Sequence, residues 1–164
     1  LGLIVRRVID IPPISTLVRQ SALGRTLALR AAGGRVSFLA NMSSDVVVLD
    51  PNQFTLEAGA MLGSGVMVSG HYIVDGVLTL APVIIESGAE VGADGRIAPG
   101  VRLRKKAMVQ SGAAIGPFSD VGEGAVVGLR AVVGARVQVG AGASVAPNAY
   151  VPNGQVIAPG ETFG

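Results

Sequence analysis

The stretch VSGHYIVDG, residues 68 to 76, carries the one histidine of the chain, His71. A neutral imidazole, with an ordinary pKa of about 6.5, can take a proton from a hydroxyl or an amine at neutral pH. General-base assistance of this kind is worth ~10²–10⁴ in rate. Four residues on, Asp75 could orient the ring or bind an acceptor, but an Asp-Gly pair also makes an ordinary turn. A second cluster, VRLRKKAM, groups Arg102, Arg104, Lys105 and Lys106. Such a cluster could meet a phosphorylated cofactor, or it could be a solubilising corner. There is no cysteine, which excludes disulfides, thiolate nucleophiles and cysteine-built zinc sites. A single histidine excludes a three-histidine metal site, and no metal is expected.

These groups need a scaffold, and composition bounds it. The chain has 164 residues, enough for one domain with a real core or a small domain with an appendage. Its apolar runs, such as LGLIV and VVVL, are far shorter than the roughly 20 residues that cross a bilayer. The chain is therefore expected to be soluble or peripheral to a membrane. It starts at Leu1, with no recognisable signal peptide, as a piece of a longer protein would. Charge is uneven: residues 1 to 40 hold Arg6, Arg7, Arg19, Arg25, Arg30 and Arg35 against Asp10 alone. Within this arm STLVRQSALGRTLALRAAGG predicts a helix from about Thr16 to Ala32, capped by Ser15 and stopped at Gly33 or Gly34. Pro12 and Pro13 separate it from LGLIVRRVID. A basic amphipathic segment in residues 1–32 could lie on an anionic membrane surface, or it could pack on one end of the domain with its arginines in water. No nucleic-acid partner is expected.

The strongest pattern is a repeat. From Ile85 every sixth residue is apolar: Val91, Ile97, Leu103, Val109, Ile115, and so on without a failure to Ile157 and Phe163. The residue after the anchor is often glycine, as at Gly92, Gly116 and Gly122, and the residue two before it is usually small. An earlier block runs through Leu56, Leu62, Val68, Val74 and Leu80 in its own frame. Six fits neither the helical period nor continued strand alternation. It fits a short strand and a turn, three of which close a triangular coil of eighteen residues with the anchors inward. Coils would stack at about 4.8 Å, the strand spacing. The two frames fall out of step between Leu80 and Ile85, so VDGVLTLAP is expected to leave the coil just beyond His71. His71 itself, three residues after Val68, is expected near a corner and outside the core.

With this repeat the chain resembles the hexapeptide-repeat acyltransferase family over about residues 50 to 164. The resemblance implies an all-β fold, a left-handed parallel β-helix; with the short N-terminal helical arm read above, residues 1–40 are expected as the arm and 41–164 as the β-helix. It also implies a homotrimer. VSGHYIVDG, with the later APVII and APGVRL, is similar to the segment of galactoside- and maltose-type O-acetyltransferases in which a small-Gly-His triplet supplies the catalytic histidine, here His71. LANMSSD is similar to the segment that contributes an asparagine beside that histidine, here Asn41. Asn41 lies thirty residues before His71, which is not a multiple of eighteen, so the entrance coils are irregular or the two meet through a neighbouring subunit. Asn41 could also simply bond backbone at a turn. The resemblance further implies coenzyme A in the groove between prisms, held by backbone groups at Ala93 and Ser111 and by basic residues such as Arg104, Lys105 and Lys106. Two features depart from the pattern: Glu90 stands where the small acetyltransferases often carry a bulky aromatic, and no GVPAK-like text follows VIAPGETFG. The layout of GRTLALRAAGGRV, then GH with VDG, then APGETFG also resembles the acyltransferase-like C-terminal coils of membrane-bound poly-amino-acid synthetases.

The expected function is transfer of an acyl group, acetyl first among them, from acetyl-CoA or another acyl thioester to a hydroxyl or amine. His71 is the general base, Asn41 its neighbour, and Asp75 a candidate acceptor contact. A backbone N–H near Ser69 or Gly70 is the expected donor to the thioester oxygen. The expected location is the cytoplasm, at the inner face of the membrane if the arm binds there. The rival expectation is a catalytically silent module for trimerisation or docking, since scaffold proteins use the same coils.

Overall fold

The computed structural model describes residues 21–164. It is a parallel β-solenoid with three faces. Face A has seven strands, from Arg35–Val36 and Phe54–Leu56 to Val156–Ile157; face B has seven, from Asn41–Met42 to Thr162–Phe163; face C has six, from Val47–Val48 to Tyr150–Val151. The chain visits A, B and C in turn, and each strand pairs in parallel with the next on its own face. In the later coils partners stand eighteen residues apart, as in Arg102 with Asp120 and Val126 with Ser144. Backbone groups are thus satisfied between coils, which lets a two-residue strand persist.

The anchors from Ile85 to Ile157 are all buried, with Phe163 at the open end only partly so. Ala89, Ala107, Ala113, Ala125, Ala131 and Ala143 are buried beside them. At the third residue after each of these anchors the backbone takes a positive φ and the chain turns onto the next face; glycine commonly fills the place, as at Gly88, Gly100 and Gly112. The glycine directly after an anchor has another cause. A Cβ on Gly128 would lie 2.6 Å from Val145 O and Pro147 N of the next coil, so only hydrogen fits.

Val68 is the last anchor of the earlier frame. Val74 and Leu80 fit the earlier frame by spacing but lie in the stretch expected to leave the coil, and they are 54% and 53% exposed. They belong to an antiparallel hairpin, His71–Val74 with Val77–Leu80, that projects from the corner between faces C and A. Alternating apolar strands of a hairpin happened to place aliphatics six apart. The hairpin turns at Asp75 and Gly76, both with positive φ (50° and 75°), the signature of a tight two-residue hairpin turn. Its base is closed by Ala81 N–H donating to Gly70 O at 2.8 Å. Regular coils resume at Val83–Ile85 on face A, so Thr55 pairs with Ile84, twenty-nine positions on.

A helix, Ala22–Ala31, covers the N-terminal end. Its N-cap is Ser21, whose Oγ accepts from Gly24 N–H at 3.2 Å; the expected cap Ser15 and start Thr16 lie outside the described residues. It ends where expected, with Gly33 at φ +100°. The arginines do not simply point to water: Arg25 donates to Met42 O (2.6 Å), and Arg30 donates to Val36 O (2.8 Å) and lies over the Phe38 ring. Leu23 and Leu27 face outward instead. No described helix is long and apolar enough to cross a membrane.

Candidate active site

His71 stands at the third position after Val68, where the regular corners take a positive φ. Here the chain runs extended into the hairpin instead. The ring is directed at the preceding coil: His71 Nδ1 lies 2.6 Å from Asp50 Oδ2, with side-chain exposures of 34% and 19%. The same carboxylate oxygen accepts from Gly70 N–H at 2.9 Å. Glycine at 70 is what lets the carboxylate approach, because a Cβ there would lie 2.6 Å from Gln53 Cβ and 3.0 Å from Asp50 Cβ. Ser69 Oγ donates to His71 O (2.7 Å) and fixes the backbone on the other side. The local text Ser-Gly-His thus has a physical reading in which hydroxyl, gap and ring build one corner.

A carboxylate at Nδ1 accepts that nitrogen's proton, which leaves the Nε2 lone pair as the basic site. The pair can therefore remove a proton from a bound hydroxyl or amine and stabilise the imidazolium that results. Asp50 is the partner of His71 that sequence reasoning missed. A step of eighteen back from His71 lands on Gln53; the short 3₁₀ turn Pro51–Gln53 lengthens this coil and moves the carboxylate to position 50.

The expected oxyanion donors are corrected. Ser69 N–H is spent on Ile97 O (3.0 Å) and Gly70 N–H on Asp50, so neither is free for a thioester oxygen. Asp75 sits at the hairpin tip, four residues along an extended strand from His71, and its conformation is that of the turn.

Asn41 is not beside His71 in the chain. It lies exposed on face B, and among the described residues its side chain forms no hydrogen bond to a turn; face B is opposite the corner between C and A. There it lines a groove of about 580 Å³ with Ser43, Met61, Glu90, Met108 and Ser111. Ala93 and Ser111 stand on successive coils at the adjoining corner, linked by Gly112 N–H to Ala93 O at 2.7 Å. Among the described residues no bond engages the N–H of either, which leaves two donors on successive coils without a partner there. Asn41, Ala93 and Ser111 are thus one neighbourhood, and His71 is another.

The basic cluster lies at the third corner, between faces A and B. Arg104 is held by Asp120 through two bonds of 2.7 Å, and that carboxylate raises its pKa above the ordinary value. Arg102 pairs with Glu86 at 2.6 Å, and Lys105 N–H also donates to Glu86. Among the described residues the ammonium groups of Lys105 and Lys106 have no partner, whereas the Arg104 guanidinium is committed to Asp120.

Neither a protein-family model nor a curated protein matches the chain by sequence. Solved structures do match. The acetyltransferase domain of PglB from Neisseria gonorrhoeae FA1090, solved with acetyl coenzyme A, is 22% identical over 85% of this chain, with a TM-score of 0.65. The fold is the hexapeptide-repeat solenoid. A hexapeptide transferase family protein from Anaplasma phagocytophilum aligns over 79% of this chain and 72% of its own (17% identity, TM-score 0.50). The UDP-N-acetylglucosamine acyltransferase of Francisella novicida aligns over 77% of this chain and 55% of its own (12% identity, TM-score 0.52). This chain spans 63% of the length of the Neisseria domain.

Proposed function

We propose that the chain is an acyltransferase that moves an acyl group from a thioester, acetyl-CoA first, to a hydroxyl or an amine. The observation that carries this reading is the 2.6 Å His71–Asp50 pair at a solenoid corner with Nε2 directed away from its partner. The similar fold of a domain solved with acetyl coenzyme A supports the donor class. Nε2 takes the proton as the acceptor oxygen or nitrogen bonds to the acyl carbon; the C–S bond then breaks and the thiolate recovers the proton from the imidazolium. No acyl-enzyme is needed. The free N–H groups of Ala93 and Ser111, with Asn41 nearby, offer donors to the thioester or its amide links, and Lys105 and Lys106 offer charge to phosphates.

The groove and the imidazole lie on different sides of one prism, so a thioester in the groove reaches a histidine only from another copy of the chain. A homotrimer with three such clefts meets that demand. Exposed apolar residues support the packing: Met61 and Met108 on face B, Val47, Met67, Val132 and Tyr150 on face C. A second reading, a silent assembly module, draws on the same separation, since the groove is not lined by His71. Calorimetric titration of acetyl-CoA, with sedimentation to fix the assembly, decides between them. Saturable binding at one site per chain in a trimer is expected. A trimer that binds no acetyl-CoA and releases no thiol with a panel of amines and sugars would favour the module.

A further inference from the structure

The corner that carries His71 also carries a column of groups with no part in the chemistry above. Gly100, Phe118 and Arg136 stand on three successive coils, linked by Phe118 N–H to Pro99 O (2.9 Å) and Arg136 N–H to Pro117 O (2.8 Å). Phe118 has φ +59°, a conformation a bulky side chain seldom takes; the other non-glycine residues at such φ among those described are Asp, Asn, Lys or Arg. The corner imposes this φ at every regular coil; what is particular here is that an aromatic ring fills the place, at the corner that carries His71.

The ring leans over Gly100, where a Cβ would lie 2.4 Å from Phe118 Cδ1. Beyond that gap it meets Tyr72 edge to face, with centroids 5.9 Å apart and planes at 82°. The Arg136 guanidinium carbon lies 5.7 Å from the same ring centroid. Tyr72 follows His71 directly, on the first strand of the hairpin. A hairpin is marginal by itself, and the outer part of this one, Ile73, Val74, Val77 and Leu78, is more than half exposed. Tyr72–Phe118 is the one ring–ring contact among the described residues. Because neighbouring side chains of a strand point to opposite sides, pinning Tyr72 toward the later coils turns His71 toward the earlier coil, where Asp50 lies.

We propose that Phe118 is a positioning residue for His71: seated over Gly100 and braced by Arg136, it holds Tyr72 and so fixes the imidazole on Asp50. The proposal rests on His71 being the general base, and its test separates the two. His71 is the only histidine, so its ring nitrogens give a single set of NMR signals. Phe118→Gly removes the ring and suits the positive φ, which keeps the solenoid intact; Phe118→Tyr keeps the ring. The glycine variant is expected to lose the defined Nδ1–H tautomer. Its kcat should fall roughly 10- to 10²-fold, with KM for acetyl-CoA unchanged, and the tyrosine variant should restore both. Wild-type imidazole signals in Phe118→Gly, or a tyrosine variant as impaired as the glycine one, would overturn the proposal. Altered signals in Phe118→Gly beside full activity in His71→Ala would instead overturn the general-base reading and leave the positioning contact standing.

Discussion

Replacing Asp50 by asparagine isolates the electrostatic part of the active corner. The amide keeps an oxygen that can accept from Gly70 N–H, a bond of 2.9 Å in the parent, so the fold of the corner is retained. What is lost is the charge beside Nδ1, 2.6 Å away. When the ring takes the acceptor's proton, opposite charges centred about 4 Å apart are worth about 4 kcal/mol at an effective dielectric of ~20 and about 1 kcal/mol in water. The pair is partly exposed, at 34% and 19%, and solvent screens it toward the lower figure. About 1.4–2.8 kcal/mol corresponds to a kcat lower by roughly 10- to 10²-fold. Asp50 does not line the groove, so KM for acetyl-CoA should be unchanged. The assay is thiol release with each acceptor that turns over, on protein whose assembly matches wild type. A kcat within twofold of wild type, in a protein that His71→Ala still disables, would refute the electrostatic role of Asp50.

Three further outcomes follow from the coil geometry and the arm. Gly128→Ala places a methyl group 2.6 Å from two backbone atoms of the next coil and should cost about 1–3 kcal/mol by denaturant unfolding; an unchanged midpoint would show that the coils can slide apart there. Asp45 accepts from Ser64 Oγ and from Gly65 N–H, and the Ser64 bond chiefly holds its pKa below the ordinary carboxylate value. A lowered folded-state pKa gives stability that is present above the unfolded value and lost as pH falls through the folded one. Asp45→Asn should therefore flatten the fall of Tm below about pH 4. Vesicles containing phosphatidylglycerol should bind the full chain more strongly than a chain lacking residues 1–20; equal binding would remove the arm from membrane contact.

The solenoid was legible because its period is written by packing. An inward anchor must recur with each strand and a left-handed residue with each corner, so a step of six survives in the text from Ile85 to Phe163. The spacing runs on through Val74 and Leu80, where a hairpin's alternation reproduces it without the burial, and the break of frame before Ile85 is what marks the departure. His71 was legible as a corner residue outside the core, being three places after Val68. Its partner was not, because the turn at Pro51–Gln53 breaks the eighteen-residue step that would have aligned the two corners. Nor was the fate of the backbone donors at Ser69 and Gly70, since local text does not tell which carbonyl or carboxylate a neighbouring coil supplies. Arg104 read as a phosphate ligand for the same reason: its partner Asp120 is one coil away and on the same face. Residues within one six-residue unit are read from sequence, while contacts across coils need the register.

The most direct measurement is the rate of thiol release from acetyl-CoA, at saturating donor and acceptor, by wild type and by His71→Asn proteins of equal assembly and Tm. General-base catalysis by His71 predicts a loss of roughly 10²- to 10⁴-fold in the variant, whereas equal rates in the two proteins would contradict it.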